Sequence, residues 1–166
     1  MLNILPSSQA APRARQRAVM GFVVALVAMT LTPRSGNAQI AVVVNSANSV
    51  DELSIDKLRR LFLGQAATFP SGQHARLATH SGSAAAFDRT ALDLAPEIVR
   101  SRWMAIVFRG EATGVPAALA STDDVKKFVQ DHPDAIAYLP LAAVDASLKV
   151  LRIDGRRPND PGYPIR

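Results

Sequence analysis

The residues best suited to chemistry in this sequence are Ser81-Gly82-Ser83. They stand between an apolar segment, Ala75–Thr79, and a run of small residues ending in Phe87 that opens a helix. A Ser-Gly-Ser turn at the head of a helix offers two hydroxyls and unpaired backbone N–H groups at the positive end of the helix dipole. A protein without metal or cofactor holds an anion in this way. Serine is also a favoured N-cap, so these residues serve equally as a plain helix cap. Taken alone, they leave both readings open. His80, just before the turn, could add positive charge to an anion site at low pH; the plainer expectation for it is an exposed loop position. Arg89, two turns into the helix, is expected at the surface.

Other chemistries lack their residues. There is no cysteine, and His74, His80 and His132 show neither His-x-x-x-His nor Glu-x-x-His spacing. Thiol nucleophiles, thiolate sites and a zinc site are therefore not expected. No Gly-x-Ser-x-Gly elbow is present, and a histidine next to a serine in sequence is badly placed to act as its base. No Gly-rich nucleotide loop occurs. The sequence is read as non-enzymatic, without catalytic residues, metal or cofactor.

The elements that position the turn follow a leader. Arg13, Arg15 and Arg17 precede an uncharged apolar run, Ala18–Leu31, then Pro33 and Gly36-Asn37-Ala38. The run has 14 residues, short of the about 20 needed to cross a bilayer. This pattern is a secretory signal peptide with cleavage expected after Ala38; the rival is an uncleaved anchor. No Arg-Arg pair precedes the run, so the general secretory route is expected. The formal charge of +5 comes from 19 basic and 14 acidic residues. Four of the basic residues, Arg13, Arg15, Arg17 and Arg34, lie in the leader; removing them leaves fifteen against fourteen, a net of +1. Nucleic-acid binding thereby loses its electrostatic support. The remaining 128 or so residues fit one domain with a real core. Without disulfides, an exported fold must rely on that core.

Ile40–Val44 is a continuous β-branched run, the pattern of a buried strand in a parallel or mixed sheet. Ser54 caps a helix over Ile55–Leu63, with Ile55, Leu58, Leu61 and Phe62 on one face and Asp56, Lys57, Arg59 and Arg60 on a solvated one; Gly64 ends it. Pro70-Ser71-Gly72 is a turn. Ala75–Thr79 is a strand, Ser83–Asp93 a helix, and Pro96 opens another, Glu97–Phe108, with Trp103 in the core. Thr122 or Asp123 caps a helix over Asp124–Gln130. Ala135–Leu139 and Leu148–Ile153 are strands. The tail 156–166 carries three Pro and one Gly and is expected as an extended or partly ordered arm. The alternation predicts an α/β fold, a mixed or parallel sheet with flanking helices.

Several segments, in order, resemble the phosphate-binding proteins of ABC transporters, in a shortened form of the type II periplasmic binding-protein family. Leu58-Arg59-Arg60-Leu61-Phe62-Leu63-Gly64 resembles the family's helix ending in Phe-Leu-Gly. Phe69-Pro70-Ser71-Gly72 resembles its Trp-led turn. Ser81-Gly82-Ser83 followed by Phe87 resembles its Ser-Gly-Thr phosphate loop followed by Phe. Arg102-Trp103 with Phe108-Arg109-Gly110, Val129–Tyr138, and Lys149–Gly155 resemble later elements. The likeness runs over roughly residues 40–155.

This resemblance implies a periplasmic substrate-binding-protein-like domain over 39–155. Its implied ligand is a small oxyanion, phosphate, at Ser81, Gly82 and Ser83. Its implied partner is a membrane permease or sensor, and the chain is expected to be a monomer. Full-length members also grip phosphate with an early loop from a second lobe, which is not expected in this sequence. Leu77 stands where the family has an arginine four residues before its loop, and Asp134 and Ala137 replace two glycines. Loss of a bidentate guanidinium implies weak binding. The alternative is a ligand-free interaction or sensory accessory module with the same fold.

Overall fold

The computed structural model describes residues 39–112 and 114–165. The leader and its cleavage point at Ala38 lie outside the described residues. In chain order the elements are β1 (Ile40–Asn45), β2 (Glu52–Leu53), α1 (Ile55–Phe62), β3 (Arg76–His80) and α2 (Ser81–Phe87). A π turn, Asp88–Leu92, continues α2, and then come α3 (Pro96–Phe108), β4 (Ala117–Leu119), α4 (Thr122–Asp131) and β5 (Ala135–Pro140). A 3-10 turn, Leu141–Ala143, leads to β6 (Leu148–Val150) and β7 (Arg152–Ile153).

One sheet has the order β4-β3-β5-β1-β6. β3 runs parallel to β4 and β5, while β1 is antiparallel to β5 and β6, so the sheet is mixed as the sequence predicts. β1 lies between two partners and is buried along its whole length. Its side chains alternate between two cores. Ile40, Val42 and Val44 join the cluster that holds Leu58, Phe62, Phe87 and Tyr138. Ala41 and Val43 join the one that holds Val125 and Val129 of α4. A strand covered on both faces reads as an unbroken apolar run, which is why Ile40–Val44 is legible without alternation. The result is three layers, with α1 and α2 on one side and α4 on the other.

α1 begins where predicted. The Ser54 hydroxyl accepts from the Lys57 N–H at 3.2 Å, and Asp56 near the start and Arg59 and Arg60 near the end complement the helix dipole. Arg59 is not wholly solvated, since its Nε donates to the Ala91 carbonyl at 2.7 Å and pins the π turn. Gly64 follows with φ +67°, and a Cβ there would lie 2.6 Å from Ile106 Cδ1 and 3.2 Å from the Trp103 ring. Both the turn and the approach of α3 require glycine. α3 in turn satisfies carbonyls that α1 leaves unpaired at its C-terminus: Trp103 Nε1 donates to Phe62 O at 2.9 Å and Arg102 Nε to Leu63 O at 3.2 Å. Trp103 is thus core, as expected.

At the far end of β1, Asn45 Nδ2 donates to Val129 O at 2.8 Å and Gln130 O at 2.9 Å, fastening the last turn of α4. α4 itself starts one or two residues earlier than the sequence suggests. Ser121 is its cap, accepting from Asp124 N at 3.1 Å and donating to the Asp124 carboxylate at 2.7 Å. The predicted strand Leu148–Ile153 divides at Leu151. β6 pairs with β1, and β7 leaves to pair in parallel with β2. The tail is not an extended arm over its described part. An isolated bridge joins Ile153 and Arg156, Asp160 accepts from Arg157 N at 2.7 Å, and Tyr163 and Ile165 are buried in the larger cluster. Its apolar residues find core surface, and this outweighs the local preference of a Pro-rich segment.

Candidate oxyanion site

β3 carries the chain to the site. It extends to His80, one residue beyond the sequence expectation, because its end pairs with β4 (His80 with Leu119). Strand alternation places His80 with Ala78 as buried positions, whereas Leu77 and Thr79 are partly exposed. The expectation of an exposed loop histidine is therefore corrected: His80 retains 8% of its surface. The alternation through residue 78 was the signal that would have revealed it.

α2 begins at Ser81, not at Ser83. The three predicted site residues are the first turn of the helix and not a turn ahead of it. His80 stands at the N-cap with an extended backbone, and no side chain caps the helix. The N–H groups of a first helical turn have no partner within the helix. Ser81 and Gly82 are exposed, while Ser83 is buried with its Oγ 2.9 Å from His80 Nδ1. The imidazole lies over Gly82. A Cβ there would sit 2.9 Å from His80 Cε1 and 3.5 Å from Nε2. Arg89 is exposed, as expected.

Behind this turn the helix is anchored by aromatic packing. Phe87 is fully buried and meets Phe62 edge-on at 5.0 Å between ring centroids. Next to it lies Asp88, which sequence reasoning did not single out. Only 8% of Asp88 is exposed, and burial pushes its carboxyl from 3.8 up to about 6, with Arg89 opposing. The Tyr138 hydroxyl is pushed above its usual range, mainly by burial and further by the Asp88 charge.

Leu77, where an arginine would complete the resemblance, faces elsewhere. It lines a cleft of about 810 Å³ whose walls include Gly64, Trp103, Glu111, Val115 and Phe128. Ser81, Gly82 and Ser83 do not line that cleft.

The layers, the mixed sheet and the helix springing from the end of β3 make a mixed α/β fold like that of periplasmic binding proteins. Three solved structures share the fold. One is described as a phosphate ABC transporter substrate-binding protein with bound phosphate from Clostridium perfringens (TM-score 0.57, 19% identity, 70% of this chain and 45% of that one). Another is an ABC-type phosphate transport receptor from Vibrio cholerae (0.51, 20%, 73% and 48%). The third is PstS from Borrelia burgdorferi (0.56, 13%, 76% and 53%). The match spans about half the length of each. No family model matches the chain.

Proposed function

We propose that this chain is an exported, non-enzymatic substrate-binding-protein-like lobe that binds a small tetrahedral oxyanion, phosphate in the first instance, for a membrane permease or sensor. The observation that carries the reading is the first turn of α2. Its N–H groups have no side-chain cap, it stands at the carboxyl end of a parallel strand, and it holds two serine hydroxyls. Open α/β sheets bind ligands outside the carboxyl ends of their strands, and helix N-termini favour anions. The fold-sharing structures described as phosphate-binding support the choice of ligand. One turn of donors, open to solvent at Ser81 and Gly82, holds its ligand weakly. The turn supplies about three or four hydrogen bonds to a charged acceptor, each worth about 1.5–3 kcal/mol before ordering and desolvation costs.

Calorimetry with inorganic phosphate tests this. Wild type binds, and Ser83→Ala loses several-fold affinity with its circular dichroism unchanged. Absence of phosphate and sulfate binding in the wild type would replace this reading by that of a ligand-free interaction module. For export, the N-terminus of the periplasmic protein is expected at Gln39; an intact Met1 in the membrane fraction would indicate an anchor.

A further inference from the structure

We propose that the outward face of α3 rests on an anionic lipid surface, with Ile98, Met104 and Phe108 entering the acyl boundary and Arg100 and Arg102 at the lipid phosphates. The inference is independent of the anion turn on α2 and concerns a surface that the proposed function leaves unused.

α3 is apolar on two sides. Its inner side buries Trp103 and Ile106. Its outer side carries Ile98, Met104 and Phe108, which are 52%, 51% and 88% exposed, with Ser101 and Ala105 exposed among them. At about 100° per residue these five positions fall within about 120° of the helix circumference and form one stripe. A helix apolar all round is normally buried, yet this one ends on a phenylalanine open to solvent. By the same spacing Arg100 and Arg102 stand on the two borders of the stripe, and both are exposed. Arg100 has no hydrogen bond or ion pair among the described residues. Arg102 commits only its Nε, to the Leu63 carbonyl. Arg109, after the last turn, is neutralised by Glu111. The one acid of the helix, Glu97, lies in its first turn, where the helix dipole favours it.

Size and charge select the occupant. α3 has 13 residues. Its outward face is about 20 Å long and about 10 Å wide, about 200 Å², against the about 800 Å² per partner of a stable protein interface. A twofold pairing of two copies along α3 crosses at its midpoint, Arg102, and sets that charge against itself. A lipid surface requires neither the larger area nor a matching shape. Interfacial helices present phenylalanine and other apolar residues on one face, sink about 5–10 Å into the headgroup boundary and draw on anionic lipids through their basic residues. Arginine stems cover apolar surface while their heads stay at the phosphates. No described helix is long and apolar enough to cross a membrane, so α3 lies along the surface. Its C-terminal half, with Met104 and Phe108, enters deepest, which keeps Glu97 in water.

The chain has no cysteine, so Met104→Cys carries an environment-sensitive fluorophore at a single place. The label reports α3 itself, whether or not the leader anchors the chain. The purified protein is titrated with vesicles of phosphatidylglycerol mixed with phosphatidylcholine, and with vesicles of phosphatidylcholine alone. The expected result is a blue shift and a several-fold brightening with the mixed vesicles, reversed by high salt. The same label at Lys127→Cys, exposed on α4, stays unchanged. Phe108→Ser, at a surface position that leaves the circular dichroism intact, is expected to weaken the response to lipid about ten-fold. Arg100→Gln is expected to weaken it about five-fold on the mixed vesicles alone. A label that stays in water with the mixed vesicles would overturn the proposal. So would an equal response to phosphatidylcholine alone, or full response in both substituted proteins. Brightening without vesicles that grows with protein concentration and is lost in Phe108→Ser would assign the face to a second copy and overturn it likewise.

Discussion

The rings of Phe87 and Tyr138 lie stacked, with centroids 3.8 Å apart and planes 9° from parallel. This contact ties the end of α2 to the middle of the sheet, because Tyr138 pairs with Val42 of β1. It sets the depth and direction of the helix whose first turn holds Ser81–Ser83. Both residues are essentially fully buried. Phe87→Ala is expected to cost about 3–5 kcal/mol in chemical denaturation, the range for a buried aromatic truncated to Ala. A double-mutant cycle with Tyr138→Leu should return a coupling of about 0.5–1.5 kcal/mol. Additive losses would mean that the stacking does not couple helix to sheet.

Asp88 makes stability depend on pH in a defined direction. Its carboxyl is raised in the folded protein from 3.8 to about 6, so the native state holds the proton more tightly than the unfolded chain does. Its stabilising contribution is full below about pH 4 and is lost as pH rises through about 6. Denaturation midpoints should carry this falling component across that window. Asp88→Asn removes it and gains about 1 kcal/mol at pH 7, well below what the full shift implies, because solvent still reaches the carboxylate. An Asp88→Asn curve parallel to wild type between pH 4 and 6 would contradict the assignment.

The C-terminal segment is a structural strap. Tyr163 and Ile165 are 2% and 0% exposed and belong to the core that also holds Val42 and Leu151. Ile165→Ala is expected to cost about 2–5 kcal/mol, and deletion of residues 162–166 more. Thermal melts of the two variants give the comparison. An unchanged melting temperature after the deletion would show that the segment only rests on the surface.

Leu77→Arg tests how far the site keeps the geometry of the proteins it resembles. Leu77 is partly exposed at the edge of the core, so the substitution should cost stability only modestly. Because residue 77 lines the neighbouring cleft and Ser81, Gly82 and Ser83 do not, a guanidinium at this point of β3 is expected to leave phosphate affinity unchanged. Calorimetry with the variant decides it. A several-fold gain would show that a guanidinium at residue 77 reaches the turn by a bidentate contact, against the direction the Leu77 side chain takes.

Local sequence was enough for the elements whose stability is local or whose burial is complete. The run Ile40–Val44 declares a strand covered on both faces. Ser54, the apolar face through Phe62, and Gly64 declare a helix with its start and stop, and Trp103, in a helix with Ile98, Val99, Ile106 and Val107, declares a core position. The mixed α/β class follows from these alternating patterns. What sequence could not decide were quantities set by partners distant in the chain. Pairing with β4 carries β3 one residue further, and that single residue turns His80 inward and makes Ser81–Ser83 the first turn of α2. The fold buries Asp88, at the start of the π turn and near Tyr138 of β5, although it looks like surface in its own neighbourhood. β7 leaves the main sheet because β2, about a hundred residues earlier, offers it a parallel edge. The Pro-rich tail lacks any regular pattern of its own and is ordered by the core surface that receives Tyr163 and Ile165. Hydrophobic periodicity and capping report the chain's nearest neighbours in sequence, whereas strand pairing and burial are free energies of association between distant segments and exist only once the tertiary fold has formed.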